Sequence, residues 1–316
     1  MLAPAGAQSA PPVPSLRTTH SVVATIPTGL SAAGLAFASR GGLLYVANIF
    51  SDDVSVIDPR TRTVIDTVQL AGGNSCAHPL SVGYDQVHDV VYVSCQQYTK
   101  ATAIDGTTHQ LIGDPIEVGS SPFDIAYDKR NGDVYIAINH NNDVAVLDGR
   151  TREVIDRIPV GVAPFGIAYD GRRGFLYVAN SQSNTVSVID GANNEVVRTI
   201  DVGPTPLGVV YDNRNDTIYV TNFDGSSVSA IDAATGNYIS EIGVGAFPFG
   251  LSLNPRDGDL YVATFGAGTV DVIDTASNQI VESVPLGSGA VWTAADPRTG
   301  HVWVTHGNSV SELAAR

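Results

Sequence analysis

The segment LYVANSQSNTVSVID, Leu176 to Asp190, recurs along the chain, and this self-similarity limits the possible folds more than any other feature. It returns as LYVANIFSDDVSVID from Leu44. Weaker copies are VYVSCQQYTKATAID from Val91, VYIAINHNNDVAVLD from Val134, IYVTNFDGSSVSAID from Ile218 and LYVATFGAGTVDVID from Leu260. A shortened copy, VWVTHGNSVSELA, begins at Val302. The aromatic marker falls at Tyr45, Tyr92, Tyr135, Tyr177, Tyr219, Tyr261 and Trp303, at intervals of 47, 43, 42, 42, 42 and 42 residues. The chain therefore holds seven units.

Within a unit, apolar residues alternate with polar ones and β-branched residues are frequent, so the period is that of a strand. In the fourth unit the runs are 165–169, 175–180, 185–190 and 195–202, separated by Gly, Asn, Asp or Pro. Four short antiparallel strands cannot bury both of their faces alone, so the units must stack. The expected fold is all-β: a seven-bladed β-propeller of four-stranded antiparallel blades. The chain runs out after the third strand of the seventh unit. SVVATIPTG, Ser21 to Gly29, matches the fourth-strand segment EVVRTIDVG, Glu195 to Gly203, so the N-terminal strand is expected to complete the last blade and close the ring. That division gives a flexible Ala/Pro-rich tail over 1–20 and a single propeller domain over 21–316.

The YVAN/YVTN strand, the SNTVSVID strand after it and the Pro-x-Gly approach to the first strand resemble the YVTN family of seven-bladed β-propeller repeat proteins. The resemblance covers about 21–316 and implies the fold. On function it is nearly mute, because such relatives include surface-layer, binding and periplasmic redox-associated proteins. Virginiamycin B lyase shares blade architecture only, and no catalytic residue is carried over from it.

The 316 residues carry 17 Lys+Arg against 32 Asp+Glu, a net charge of -15 that would repel nucleic-acid phosphates and anionic lipid heads. No stretch approaches 18 uninterrupted apolar residues, so membrane insertion is not expected. Two cysteines, Cys76 and Cys95, exclude a multi-disulfide framework and a CxxC motif. They share the second unit, and in an exported protein they are disulfide candidates. The stretch Leu2 to Pro14 lacks the apolar run of an intact signal peptide. It is either the remnant downstream of a removed one or an ordinary disordered tail. An extracytoplasmic, periplasmic or secreted monomer is expected, and 15 Arg against 2 Lys fits a GC-rich bacterial genome.

Residues present in most units are most economically explained by the blade. Asp58, Asp105, Asp148, Asp190, Asp232 and Asp274 each end a third strand, and Asp85, Asp128, Asp170, Asp212 and Asp296 each end a first. These eleven read as turn formers. A ligand without seven-fold symmetry must be recognised where units differ. The glycine register reads Gly34, Ser81, Asp124, Gly166, Gly208, Gly250 and Trp292; the asparagine register reads Asn48, Cys95, Ile138, Asn180, Asn222, Thr264 and His306. Both face the channel mouth on the side of the loops that enter strand one and leave strand two.

Units seven, two and three change both registers, and unit one, between them, adds Ile49 and Phe50. A five-residue insertion around Ala71 to Ala77 brings Cys76 and His78 to this arc. The candidate ligand-binding residues are Phe50, His78, Gln97, Phe123, Asp124, His140, Trp292 and His306. Each also has a bland reading: Trp292 as a plug of the channel, Asp124 bonded to loop amides, the histidines as ordinary surface or hydrogen-bonding groups.

The leading expectation is a binding module that takes a small molecule, glycan or protein partner at this asymmetric mouth. The alternative is a small-molecule lyase or cyclase, with His306 or His140 as acid–base group and Asp124 orienting it. No cofactor is expected. A divalent metal held by His78, His140 and His306 is a remote alternative, because no HxH or HxxxH spacing fixes their separation.

Overall fold

A computed structural model describes residues 19–70 and 76–315. The proposed tail up to residue 18 and the core of the insertion, 71–75, lie outside the described residues. Every regular element among those described is a strand, arranged as seven four-stranded antiparallel sheets. Blades one to six each run through four consecutive strands, beginning with Ala32–Ala38 in blade one and Pro79–Asp85 in blade two. The first strand of each blade lies innermost and packs against the first strands of both neighbours, so the seven form a closed ring about an axial channel.

Blade seven is completed by the N-terminal strand. His20–Pro27 pairs antiparallel with Ser309–Ala315, from His20 opposite Ala315 to Pro27 opposite Ser309. The ring is thus closed by backbone hydrogen bonds between the two ends of the fold. The two ends of the channel differ in their connections. One, the loop face, carries the interblade loops and the turns between second and third strands. The other, the turn face, carries the turns between first and second and between third and fourth strands.

The repeat residues bind blades to one another at the turn face. Tyr45, Tyr92, Tyr135 and Tyr219 are fully buried, and their hydroxyls donate to carbonyls of the next blade: Gly106 at 3.2 Å, Gly149 at 3.2 Å, Gly191 at 3.4 Å and Thr275 at 3.3 Å. Burial raises these phenols, Tyr135 and Tyr219 to about 12, so they serve as neutral donors. All eleven repeat aspartates accept a backbone N–H two or three residues further on, which fixes the turns.

The first strands are irregular at the same place in every blade: the register shifts over the positions that read Pro-x-Gly in blades four to six, as between Pro164 and Ile167. Glycine there answers to crowding. A Cβ on Gly166 would lie 2.2 Å from the Leu207 carbonyl oxygen of the next blade, and one on Gly34 2.6 Å from that of Leu80.

Candidate functional site

At the loop face the second residue of each first strand, which follows a proline in blades two to six, projects into the axis. This register reads Ala33, Leu80, Phe123, Phe165, Leu207, Phe249 and Val291. Phe123, Phe165, Leu80 and Leu207 are buried, and they share one apolar cluster with Trp292. Phe123 lies 4.4 Å from Phe165 and Phe249 lies 5.5 Å from Trp292, centroid to centroid. This end of the channel is filled by side chains. Phe123 and Trp292 therefore serve as a plug, not as walls of an open mouth.

The asparagine register is structural. Asn48, Asn180 and Asn222 donate through Nδ2 to Ser55, Ser187 and Ser229, at 2.9, 3.0 and 2.9 Å, tying second strand to third. His306 does the same with an imidazole: Nε2 meets Ser311 Oγ at 2.7 Å and Nδ1 meets Ser288 Oγ at 2.8 Å. It is 9% exposed, and burial holds its pKa below the usual histidine value. With both nitrogens engaged, His306 has none left for proton transfer to a ligand. Ile138 in the same register is buried, and Thr264 Oγ1 bonds Thr269. Cys95 forms a disulfide with Cys76, Cα atoms 5.0 Å apart, tying the incoming loop of blade two to the end of its second strand.

The other candidates do not converge. Asp124 spans three blades: Oδ1 accepts from Ser81 Oγ at 2.7 Å and Oδ2 from the Ile167 amide at 3.1 Å. Enclosure by the surrounding strands pushes its carboxyl pKa up despite these bonds. Phe50, 66% exposed, makes an edge contact with His78 at 5.7 Å. The amide of His78 donates to Asp52 Oδ1 at 2.8 Å. His140 is exposed, with Nδ1 3.5 Å from Ser120 Oγ, and Gln97 is exposed. No hydrogen bond links Asp124 to His140 or His306. Among the described residues no three His, Cys, Asp or Glu side chains are placed to hold a metal.

The concave surface lies at the opposite end. The channel opens on the turn face into a cavity of about 910 Å³ that touches blades one to six. Its wall includes Val82, Ile125 and four tyrosines, Tyr84, Tyr127, Tyr169 and Tyr211, one from each first strand of blades two to five. Its rim carries Lys129, Arg172 and Arg214.

Arginine recurs in this turn, at Arg40, Arg130, Arg172, Arg214, Arg256 and Arg298, and most of these side chains are consumed by the fold. Arg130 donates to the Arg172 and Arg173 carbonyls, Arg214 to Pro255, Arg256 to Arg298, and Arg298 to Gly42 across the closing seam. Arg172 is the exception: its side chain, like that of the neighbouring Lys129, has no hydrogen bond or ion pair among the described residues, although its charge helps to hold the Asp216 carboxyl below its ordinary pKa. The sequence signal for this cationic rim was the arginine of the turn, which its recurrence disguised as mere repeat.

One acid on the cavity wall is left short of a partner. In blades three and four the first-strand tyrosine lies near an aspartate of the preceding blade, Tyr127 near Asp85 and Tyr169 near Asp128, but neither hydroxyl makes a hydrogen bond. Blade six has Leu253 at that position. Asp212, buried in blade five, keeps Oδ1 on the Arg214 amide, but its Oδ2 has no hydrogen-bond partner.

No family model matches this chain, and no curated protein matches it. The resemblance to YVTN repeats therefore rests on the strand motifs themselves. Among solved structures, that of Kuenenia stuttgartiensis hydrazine synthase is similar, with a TM-score of 0.80 over 92% of this chain and 97% of that chain at 19% identity. The likeness shows the fold alone. With 1691 solved chains matching, the architecture is too widely shared to carry a function.

Proposed function

We propose that the protein is a binding module that takes a small anionic molecule with an apolar body into the axial cavity from the turn face. The observation that carries this reading is the pair Lys129 and Arg172, held in no hydrogen bond or ion pair at the cavity rim of a chain whose net charge is -15. The field of such a chain disfavours anions in general, so two cations outside any ion pair beside a concavity give local selectivity. Tyrosine rings and Val82 and Ile125 supply the apolar wall beneath them. A volume of about 910 Å³ lies in the range of small-molecule sites.

A lyase or cyclase at the loop face has no observation in its favour, because His306 is fully engaged and Asp124 is bonded into the strands. The Cys76–Cys95 disulfide supports action outside the cytoplasm, where such bonds persist.

The test uses 8-anilinonaphthalene-1-sulfonate, an anionic aromatic probe, titrated against the folded protein. Saturable one-to-one binding is expected, weakened at least tenfold in Lys129→Glu/Arg172→Glu and unchanged in His140→Ala. Equal affinity in the charge-reversed variant would overturn the reading.

A further inference from the structure

One sector of the loop face is nearly free of charge and leaves phenylalanine rings uncovered. From blade five round to blade one, its interblade loops and its turns between second and third strands form seven short segments. They read GPT at 203–205, FDGS at 223–226, GAF at 245–247, FGAG at 265–268, GSG at 287–289, GN at 307–308 and TGLS at 28–31. Asp224 is the one charged residue in them, in a chain whose net charge is -15.

Phe247 is 44% exposed, Phe265 51% and Leu30 53%. Phe247 is braced from beneath: it stacks on Phe223 at 4.9 Å, and Phe223 meets Phe249 of the channel plug at 6.1 Å. Glycines make room for both rings. A Cβ on Gly266 would stand 2.5 Å from Phe247 Cδ2, and one on Gly289 2.7 Å from Phe265 Cδ2. Phe247 also has a φ of 55°, at a position where blades one to five carry Ser31, His78, Ser121, Ala163 and Thr205. A bulky side chain is disfavoured in that conformation, and the fold recovers little by leaving its ring in water.

Beside these raised rings the same sector has a recess. Four residues join the second strand to the third in blades one to six, but only Gly307 and Asn308 do so in blade seven. The rim of blade seven is therefore cut short, and the loop that enters it is Gly287, Ser288 and Gly289.

We propose that this sector is the interface of a two-fold homodimer, in place of the monomer expected from the sequence. A two-fold contact pairs a patch with itself, so the patch must hold both the projections and the recess that receives them. Phe247, Phe265 and Leu30 are the projections, and the shortened rim of blade seven is the recess. Charge selects the same occupant. A second copy brings a net charge of -15 of its own, so its approach is least opposed where both surfaces lack carboxylates. Aromatic residues with few charges are also the composition of interface cores. The axial cavity opens at the opposite end, so both copies keep it accessible.

Sedimentation velocity of the full chain, from micromolar to sub-millimolar concentration, tests the proposal. A reversible monomer–dimer equilibrium is expected, and it should tighten from 50 mM to 500 mM salt, because screening relieves repulsion between two acidic copies. Phe247→Ser/Phe265→Ser should weaken the dimer at least tenfold. Ala267→Glu, which sets a carboxylate on the exposed turn beside Phe265, should do the same and decides alone if the double variant fails to fold. His140→Ala, on the same face in blade three, should leave the equilibrium unchanged. A chain that stays monomeric throughout, leaving the sector to a different protein, would overturn the proposal. A dimer of equal affinity in folded Ala267→Glu would overturn it too.

Discussion

His306 occupies a position where an asparagine suffices, and that equivalence can be measured. His306→Asn should keep a side-chain bond to Ser311 and melt close to the parent. His306→Ala leaves Ser288 and Ser311 without their partner and should cost about 1–3 kcal/mol in chemical denaturation. Because burial lowers the folded pKa of His306 below 6.5, the unfolded chain binds this proton more readily. Its contribution is therefore intact above pH 6.5 and is lost as the pH falls through and below that value. His306→Asn should flatten that part of the stability–pH curve, and an unchanged slope would remove His306 as its source.

Asp124 has the opposite sign. Its folded pKa is raised, so its contribution is present at low pH and lost as pH rises above its ordinary 3.8. The melting temperature of Asp124→Asn minus that of the parent should grow from pH 4 to pH 7.

Among elements, the strand His20–Pro27 has the largest leverage for its length. Removing residues 1–27 exposes the backbone edge of Ser309–Ala315 and opens the ring, so the melting transition should fall sharply. An unshifted transition would contradict closure by this strand. The Cys76–Cys95 bond closes a 19-residue separation, and its reduction should cost roughly 3 kcal/mol of unfolding free energy. Titration of the denatured, unreduced protein should find no reactive thiol.

These elements were legible in the sequence because they follow from matching one unit against the next. The SVVATIPTG match located the closing strand, and the shared unit of Cys76 and Cys95 placed them within reach. The roles of Asp124, Trp292 and His306 were not legible. A break in a repeat announces a different side chain but not whether a ligand or a neighbouring strand occupies the space it faces. Here Phe165, Phe249, Ser81 and Ser311 occupy it.

At the scale of the whole molecule, the two ends of the channel differ in what the closed ring brings to the axis. Apolar residues after the prolines meet and fill the loop face; tyrosines and turn cations stand around an opening at the turn face. Subtracting the residues that recur between units discards Tyr84, Tyr127, Tyr169, Tyr211, Arg172 and Arg214, although their convergence follows directly from repetition around an axis. Within that ring, asymmetry enters through small departures: Lys129 beside the recurrent arginine, Leu253 in place of tyrosine, and no cavity contact from blade seven.

The charge pattern adds a salt dependence. Binding of an anionic probe at Lys129 and Arg172 should weaken from 50 mM to 500 mM salt. The most direct measurement is native mass spectrometry of the protein purified without ligand, before and after Lys129→Glu/Arg172→Glu, beside a His140→Ala/Phe50→Ala control. The account predicts a bound small anionic molecule that is lost from the charge-reversed variant and kept by the loop-face control. Retention in the first and loss from the second would contradict it.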